Sequence, residues 1–146
     1  MNKHPKIFFD TNILVYAFDK DEPSKAAMAR HWLREVGSQG NLVLSTQVLQ
    51  EFYVAVTKSM NPKMPHLQAA ELVNDFAEFP LVQVDKVLIA KAMQRHRNRE
   101  FSFWDSLVIE AALQANCDTL LSEDMQDGRI IHGLTIVNPF KLKDKN

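Results

Sequence analysis

Short apolar runs alternate with longer stretches of helical period along this chain. The runs at residues 6–9, 42–44, 81–84, 119–121 and 135–137 are too short for helices and are bounded by polar residues, so they predict five strands. Between them the apolar positions recur at three and four residues. That spacing predicts helices over 12–18, 24–36 with Ser24 as cap, 46–59 entered through Ser45-Thr46, 65–79, 86–96 and 103–115 with Ser102 as cap. Asn61-Pro62-Lys63-Met64-Pro65 reads as a loop. Strands separated by helices imply an α/β fold: a mostly parallel sheet with helices on both faces. Such sheets bind ligands beyond the carboxyl ends of their strands.

Composition narrows the class. The 146 residues suit one domain, 1–146, with its core over about 6–140, and 46% hydrophobic with 24% charged residues is ordinary for a globular protein. No apolar run approaches the roughly 18 residues of a membrane span, and the basic start of the chain leads into an apolar stretch broken by Asp10, unlike a secretion signal. A single cysteine, Cys117, excludes an internal disulfide framework and suits a reducing cytoplasm. Lys and Arg number 17 against 18 Asp and Glu, for a formal charge of −1. A nucleic-acid binder of this charge needs local basic patches or metal ions, because its net field does not attract phosphates.

Four acids stand out by position. Asp10 ends the first strand and Asp124 lies just past the fourth, so neighbouring strands would bring both to one crevice; each can also be an ordinary turn residue. Glu51 has Val48 and Ala55 as same-face neighbours and Phe52 beside it, an apolar setting for a carboxylate, although a Glu at the edge of such a stripe can reach a lysine such as Lys58. Asp105 shares a helix face with Val108, Ile109 and Ala112; it also fits the third position of a helix capped by Ser102, where an acid suits the helix dipole. Carboxylates about 4 Å apart repel by roughly 4 kcal/mol per pair at an effective dielectric of about 20, so a cluster of them persists only with protons or cations. Hard oxygen donors select Mg²⁺ or Mn²⁺, which activate water and screen phosphate charge.

Asp10-Thr11-Asn12-Ile13-Leu14-Val15-Tyr16 resembles the opening motif of PIN domains, including the VapC toxins of bacterial toxin–antitoxin pairs. Gln50-Glu51-Phe52, Phe103-Trp104-Asp105-Ser106 and Leu121-Ser122-Glu123-Asp124 follow in the same order, and the match runs from residue 7 to about 140. No one motif is specific; their order and spacing are. The resemblance implies a three-layer fold with a five-stranded, mostly parallel sheet. It also implies a divalent-metal nuclease that cuts RNA, commonly a homodimer, with an antitoxin protein as partner; an acidic crevice between helices admits one strand more readily than a duplex, so single-stranded or loop regions are the expected RNA. It carries the catalytic and metal-holding role onto Asp10, Glu51, Asp105 and Asp124, and a supporting polar role onto Thr11, Asn12 and Ser122. Asp127 is an additional acid near Asp124, though Asp127-Gly128 reads equally as a turn, and Glu123 is expected to face solvent.

Arg97 and Arg99, in the linker ahead of the Asp105 helix, are candidates for holding RNA phosphates, while Lys91, Arg95 and His96 suit a helix C-terminus. The five histidines, His4 among them, show no zinc spacing, and Trp32 and Trp104 are expected in the core. A phosphorelay receiver is the first rival function, but the middle acid here is helical. An aspartyl phosphatase needs a second Asp two residues after the first, where this chain has Asn12. A PIN fold that only binds RNA or protein remains the non-enzymatic alternative.

Overall fold

The computed structural model describes residues 5–144; His4 and the end of the basic tail, residues 145–146, lie outside them. The strands are β1 (Ile7–Phe9), β2 (Leu42–Ser45), β3 (Leu81–Val82), β4 (Thr119–Leu121), β5 (Ile130–Ile131) and β6 (Leu134–Val137). The helices are α1 (Thr11–Tyr16), α2 (Pro23–Ser38), α3 (Thr46–Val54), α4 (His66–Phe76), α5 (Lys86–His96) and α6 (Phe103–Gln114). Part of the tail is ordered in a 3-10 turn, Pro139–Asp144.

The sheet runs β3-β2-β1-β4-β6-β5, parallel except where β5 turns back along β6. The five expected strands are present, and β5 is the sixth. Its hairpin is made by His132 and Gly133, both with positive φ (49° and 85°), the backbone that a tight two-residue hairpin requires. Two residues of strand leave no alternation for sequence reading to detect. Gly128 (φ 88°) supplies the turn expected at Asp127-Gly128.

Four helices differ from expectation. α1 runs Thr11–Tyr16, ending short of residue 18. α2 begins at Pro23, and its cap position is Glu22, not Ser24. Proline's fixed φ suits the first helical turn, so the chain enters the helix one residue earlier without a side-chain cap. The helix expected over 46–59 is α-helical only to Val54 and continues as a wider π-helical turn, Ala55–Ser59. α4 ends at Phe76, short of residue 79. Ser45, Asp85 and Ser102 each cap the following helix through a side-chain oxygen.

The core lies where Phe8 and Phe9 of β1 point to opposite faces, both fully buried, beside Leu44, Leu120 and Ile136 from neighbouring strands. Phe52 of α3 packs edge-on against Phe18 and Phe76, closing the α3–α4 side. Trp32 is half-buried against this core. Trp104 is not in it: the indole is 60% exposed. α6 is apolar on nearly every side, so no stripe in its sequence distinguishes the covered face from the open one.

The strand order matters for function. From β1 the chain steps outward to β2 and β3, then crosses back over the sheet to place β4 on the other side of β1. Loops leaving the carboxyl ends of β1 and β4 therefore diverge, and the gap between them is where such sheets bind ligands.

Candidate active site

Asp10 stands at that gap. Its backbone N–H donates to the Leu121 carbonyl at 2.9 Å, continuing the β1–β4 ladder one residue beyond the strand. Its side chain is the N-cap of α1: Oδ1 accepts from the Thr11 N–H at 2.8 Å. Oδ2 accepts from the Ser122 hydroxyl at 2.8 Å, and that hydroxyl in turn accepts from the Asp124 N–H at 3.2 Å. Ser122 is fully buried and Asp10 only 6% exposed, so these bonds hold the carboxylate from both sides.

Glu51 reaches the same place from α3. Thr11 Oγ1 donates to its Oε1 at 2.7 Å and Gln47 Nε2 to its Oε2 at 3.1 Å. These two donors, not Lys58, are its partners. Gln47, one helical turn before Glu51, also reaches the Trp104 carbonyl at 3.4 Å and so links α3 to the first turn of α6. Asp105 sits in that turn, half-buried, with its N–H donating to Ser102 Oγ at 3.0 Å. The cap expected there is present, and the charges of Asp124 and Glu51 act on the Asp105 carboxylate all the same. Asp124 is exposed; its Oδ2 accepts from Asn12 Nδ2 at 3.0 Å, while Asn12 Oδ1 accepts from the Glu123 N–H at 3.2 Å.

The acids feel one another. The Asp10 carboxyl is raised to about 7: burial is the largest cause, hydrogen bonds from Ser122 and Thr11 oppose it, and the charges of Asp105 and Glu51 add to the rise. Burial also raises Asp105, with Asp124 and Glu51 adding to the rise against the Ser102 hydrogen bond. The expected four are thus one electrostatic group, drawn from β1, α3, α6 and the loop after β4. Among the described residues, no cation pairs with any of them: the ion pairs are Lys25–Glu123, Arg95–Glu110 and Arg129–Glu100.

Among the described residues, no three His, Cys, Asp or Glu side chains converge tightly enough to cage an ion. The donor set fits a hydrated hard cation instead. Mg²⁺ characteristically takes one or two carboxylates, keeps several waters and leaves positions for phosphate oxygens.

Sequence reading misplaced Glu123 and missed three further residues that build the site, Gln47, Tyr16 and Lys25. Glu123 does not face solvent: it accepts from the Tyr16 hydroxyl at 2.6 Å and pairs with Lys25, whose ammonium also lies 4.8 Å from the Tyr16 ring centroid. This tie anchors the loop that carries Ser122 and Asp124. Gln47 was legible in principle, since it precedes Glu51 by one helical turn; Tyr16 and Lys25 had no local signal. Asp127 is spent on structure, accepting from the Asn138 N–H at 2.8 Å. Arg97 and Arg99 are exposed in the turn after α5, and among the described residues their side chains make no ion pair.

The family model of the PIN domain matches residues 7–126, most of the chain and every element that carries an acid. The chain belongs to the PIN-domain family. Solved structures similar to this PIN domain agree on the fold. A toxin–antitoxin complex from Klebsiella pneumoniae superimposes with a TM-score of 0.68 at 18% identity, covering 92% of this chain and 98% of that one. VapC20 of Mycobacterium tuberculosis, a sarcin–ricin loop cleaving toxin, gives 0.59 at 18% identity over 79% and 87%. VapBC2 from Rickettsia felis, bound to a DNA fragment from its promoter, gives 0.61 at 19% over 89% and 96%. No curated protein sequence matches this PIN domain at a significant level. Among its described residues, no helix is long and apolar enough to cross a membrane.

Proposed function

We propose that this PIN domain is a divalent-metal-dependent endoribonuclease and the toxin of a toxin–antitoxin pair. The observation that carries the reading is the electrostatic coupling of Asp10, Glu51, Asp105 and Asp124, with no cation paired to any of them among the described residues. Uncompensated carboxylates at a sheet's carboxyl edge disfavour an RNA phosphate unless a cation joins them. Asp10, Asp105, Glu51 and Asp124 would hold Mg²⁺ or Mn²⁺. When bound, such an ion supplies positive charge to a phosphate oxygen and acidity to water.

The chain's own part is orientation. Ser122 and Thr11 hold Asp10, Thr11 and Gln47 hold Glu51, and Asn12 holds Asp124, each through a donor to one carboxylate oxygen. Neither oxygen of Asp10 or Glu51 is free to swing, so the donor set is organised before substrate arrives. The site has no His pair and no activated Ser or Cys, and water is the nucleophile. In-line attack on phosphorus expels the 3′ oxygen and leaves a 5′-phosphate and a 3′-hydroxyl.

The toxin reading draws on the structural relatives, which include a toxin–antitoxin complex and a toxin that cleaves the sarcin–ricin loop. The partner is an antitoxin whose segment crosses the acidic crevice and offers Arg or Lys to the carboxylates; the chain acts in the cytoplasm, as a homodimer. The deciding experiment maps product ends on a mixed RNA with Mg²⁺ or Mn²⁺ and with EDTA. Metal-dependent 5′-phosphate ends are expected. Cyclic-phosphate ends, or cutting that survives EDTA, would overturn the mechanism.

A further inference from the structure

Beside the acids, an open groove of about 480 Å³ runs between α3 and the start of α6. Glu51 lines it, so groove and acidic crevice share a wall. Gln47, Gln50 and Val54 line it from α3, and Trp104 closes it from α6. Trp104 is the neighbour of Asp105 in sequence and its indole is 60% exposed, an unusual position for the largest apolar side chain. Phe103 meets the indole at 75°, edge to face, with ring centroids 5.2 Å apart, so it covers at most one of the two indole faces.

The polar side of the groove is incomplete. Gln47 is 4% exposed and spends its Nε2 on Glu51 and on the Trp104 carbonyl, but its Oε1 is buried without a hydrogen-bond partner. Buried acceptors are ordinarily satisfied. An apolar side chain seated in this groove would leave the Glu51 carboxylate facing hydrocarbon. A nucleobase matches both requirements, with a flat face for the indole and edge N–H groups for an acceptor. Lys58 is exposed and is the chain neighbour of Ser59, which lines the groove; among the described residues it makes no ion pair.

We infer that Trp104 is a stacking platform for one base of single-stranded RNA, seated in the α3–α6 groove against Gln47, which delivers the adjoining phosphate to the acids. The inference rests on the ribonuclease reading and names the form of RNA the site accepts: a strand with an unstacked base. A duplex keeps its bases stacked on each other and has none to offer. Trp104 acts on binding and position, with no role in bond breaking.

Two measurements test this, after wild-type turnover with Mg²⁺ or Mn²⁺ has been established on single-stranded RNA. In steady-state cleavage, Trp104→Ala should raise KM about tenfold with kcat within about threefold, and Trp104→Phe should retain most of the affinity, as expected for loss of one base–aromatic stack. In the second, Trp32→Phe leaves Trp104 as the only indole of the chain's two tryptophans, and Asp10→Asn suppresses turnover. Oligouridylate should then quench Trp104 emission, and the ribose-phosphate oligomer without bases should not. An unchanged KM in Trp104→Ala, or equal quenching by the base-free oligomer, overturns the platform and leaves the groove to a segment of a protein partner. Absence of any RNA cleavage by the wild type would overturn the ribonuclease reading, and this inference with it.

Discussion

Thr11 Oγ1 donates to Glu51 Oε1 at 2.7 Å across forty residues of chain, joining the first turn of α1 to α3. The same threonine gives its N–H to Asp10 Oδ1, so one residue orients two acids with two different donors. A site of like charges needs such donors, because repulsion alone would swing the carboxylates apart toward water.

Thr11→Val keeps the shape of the side chain and the N–H to Asp10 but removes the hydroxyl. Glu51 is then held by Gln47 alone. Metal affinity or turnover should fall about tenfold to a hundredfold, the usual effect of losing an outer partner of a metal-holding group. Thermal melting in chelator should move little, and calorimetric titration with Mn²⁺ checks the affinity. Unchanged affinity and turnover would remove Thr11 from the site.

Asp10→Asn should abolish cleavage and, without metal, stabilise the protein in a pH-dependent way. Burial raises the folded-state pKa of Asp10 from 3.8 to about 7. Between those values the unfolded chain is ionised there while the folded chain holds the proton, so wild-type stability falls as pH rises from about 4 to about 7 and the penalty is complete above that. Asparagine carries no charge and still caps α1. In EDTA its melting temperature should exceed the wild type's at pH 8, with the gap closing toward pH 4. A gap independent of pH would contradict the assignment.

Lys25→Met removes the cation that pairs with Glu123 while keeping much of the aliphatic stem over the Tyr16 ring. The pair is partly exposed, so the stability lost should be small, about 1 kcal/mol or less. Activity should fall further than stability does, because the loop held by Glu123 carries Ser122 and Asp124. Burial raises the Glu123 carboxyl, but Lys25 and Tyr16 outweigh it and the net shift is downward. The pair's contribution is therefore present above the ordinary carboxylate range and lost as pH falls through the folded value. Melting curves of mutant and wild type should converge in acid.

Phe52→Ala should cost about 3–5 kcal/mol, the usual range for a buried phenylalanine. Phe52 is fully buried between Phe18 and Phe76 and cannot be replaced by solvent. Chemical denaturation measures the loss directly, and a cost below about 1 kcal/mol would mean that the α3–α4 contact is loose.

Arg97→Gln with Arg99→Gln tests whether these exposed cations hold RNA phosphates. Each phosphate contact on a single strand contributes about 0.7 to the slope of log affinity against log salt, so the double variant should flatten that slope by about 1.4. Arg99 has φ of 63°, a backbone that Gln tolerates no worse than Arg, so the fold should be unaffected. An unchanged slope would assign both arginines to solvent.

Much of the architecture was legible before any coordinates. The strands at Ile7–Phe9, Leu42–Ser45 and Thr119–Leu121 and the helices that follow them lie close to where hydrophobic spacing put them, because that spacing records which face of each element is buried. The acids were legible because a carboxylate in an apolar stripe or at a strand end departs from that pattern. Three partners of those acids, Thr11, Asn12 and Ser122, were placed beside them by the family resemblance, while Gln47, one helical turn before Glu51, was not. Tyr16 and Lys25 meet Glu123 across about a hundred residues, and nothing near any of the three announces the contact. Trp104 was misplaced for a related reason: α6 is apolar all round, so composition cannot say which side the fold leaves open.

By itself, then, the sequence determined the order of elements and singled out the four acids as candidates, since both depend on local chemistry: turn-forming residues, helix caps, and charges set among apolar neighbours. Only the tertiary structure decided that β4 crosses back to lie beside β1, bringing Asp10 within reach of Ser122. It also decided that α3 packs close enough to α1 for Thr11 to hold Glu51. Those pairings follow from how helices cover the two faces of one sheet, and the free energy of that covering is shared among many residues far apart in the chain. No short stretch carries it, so no short stretch could reveal it.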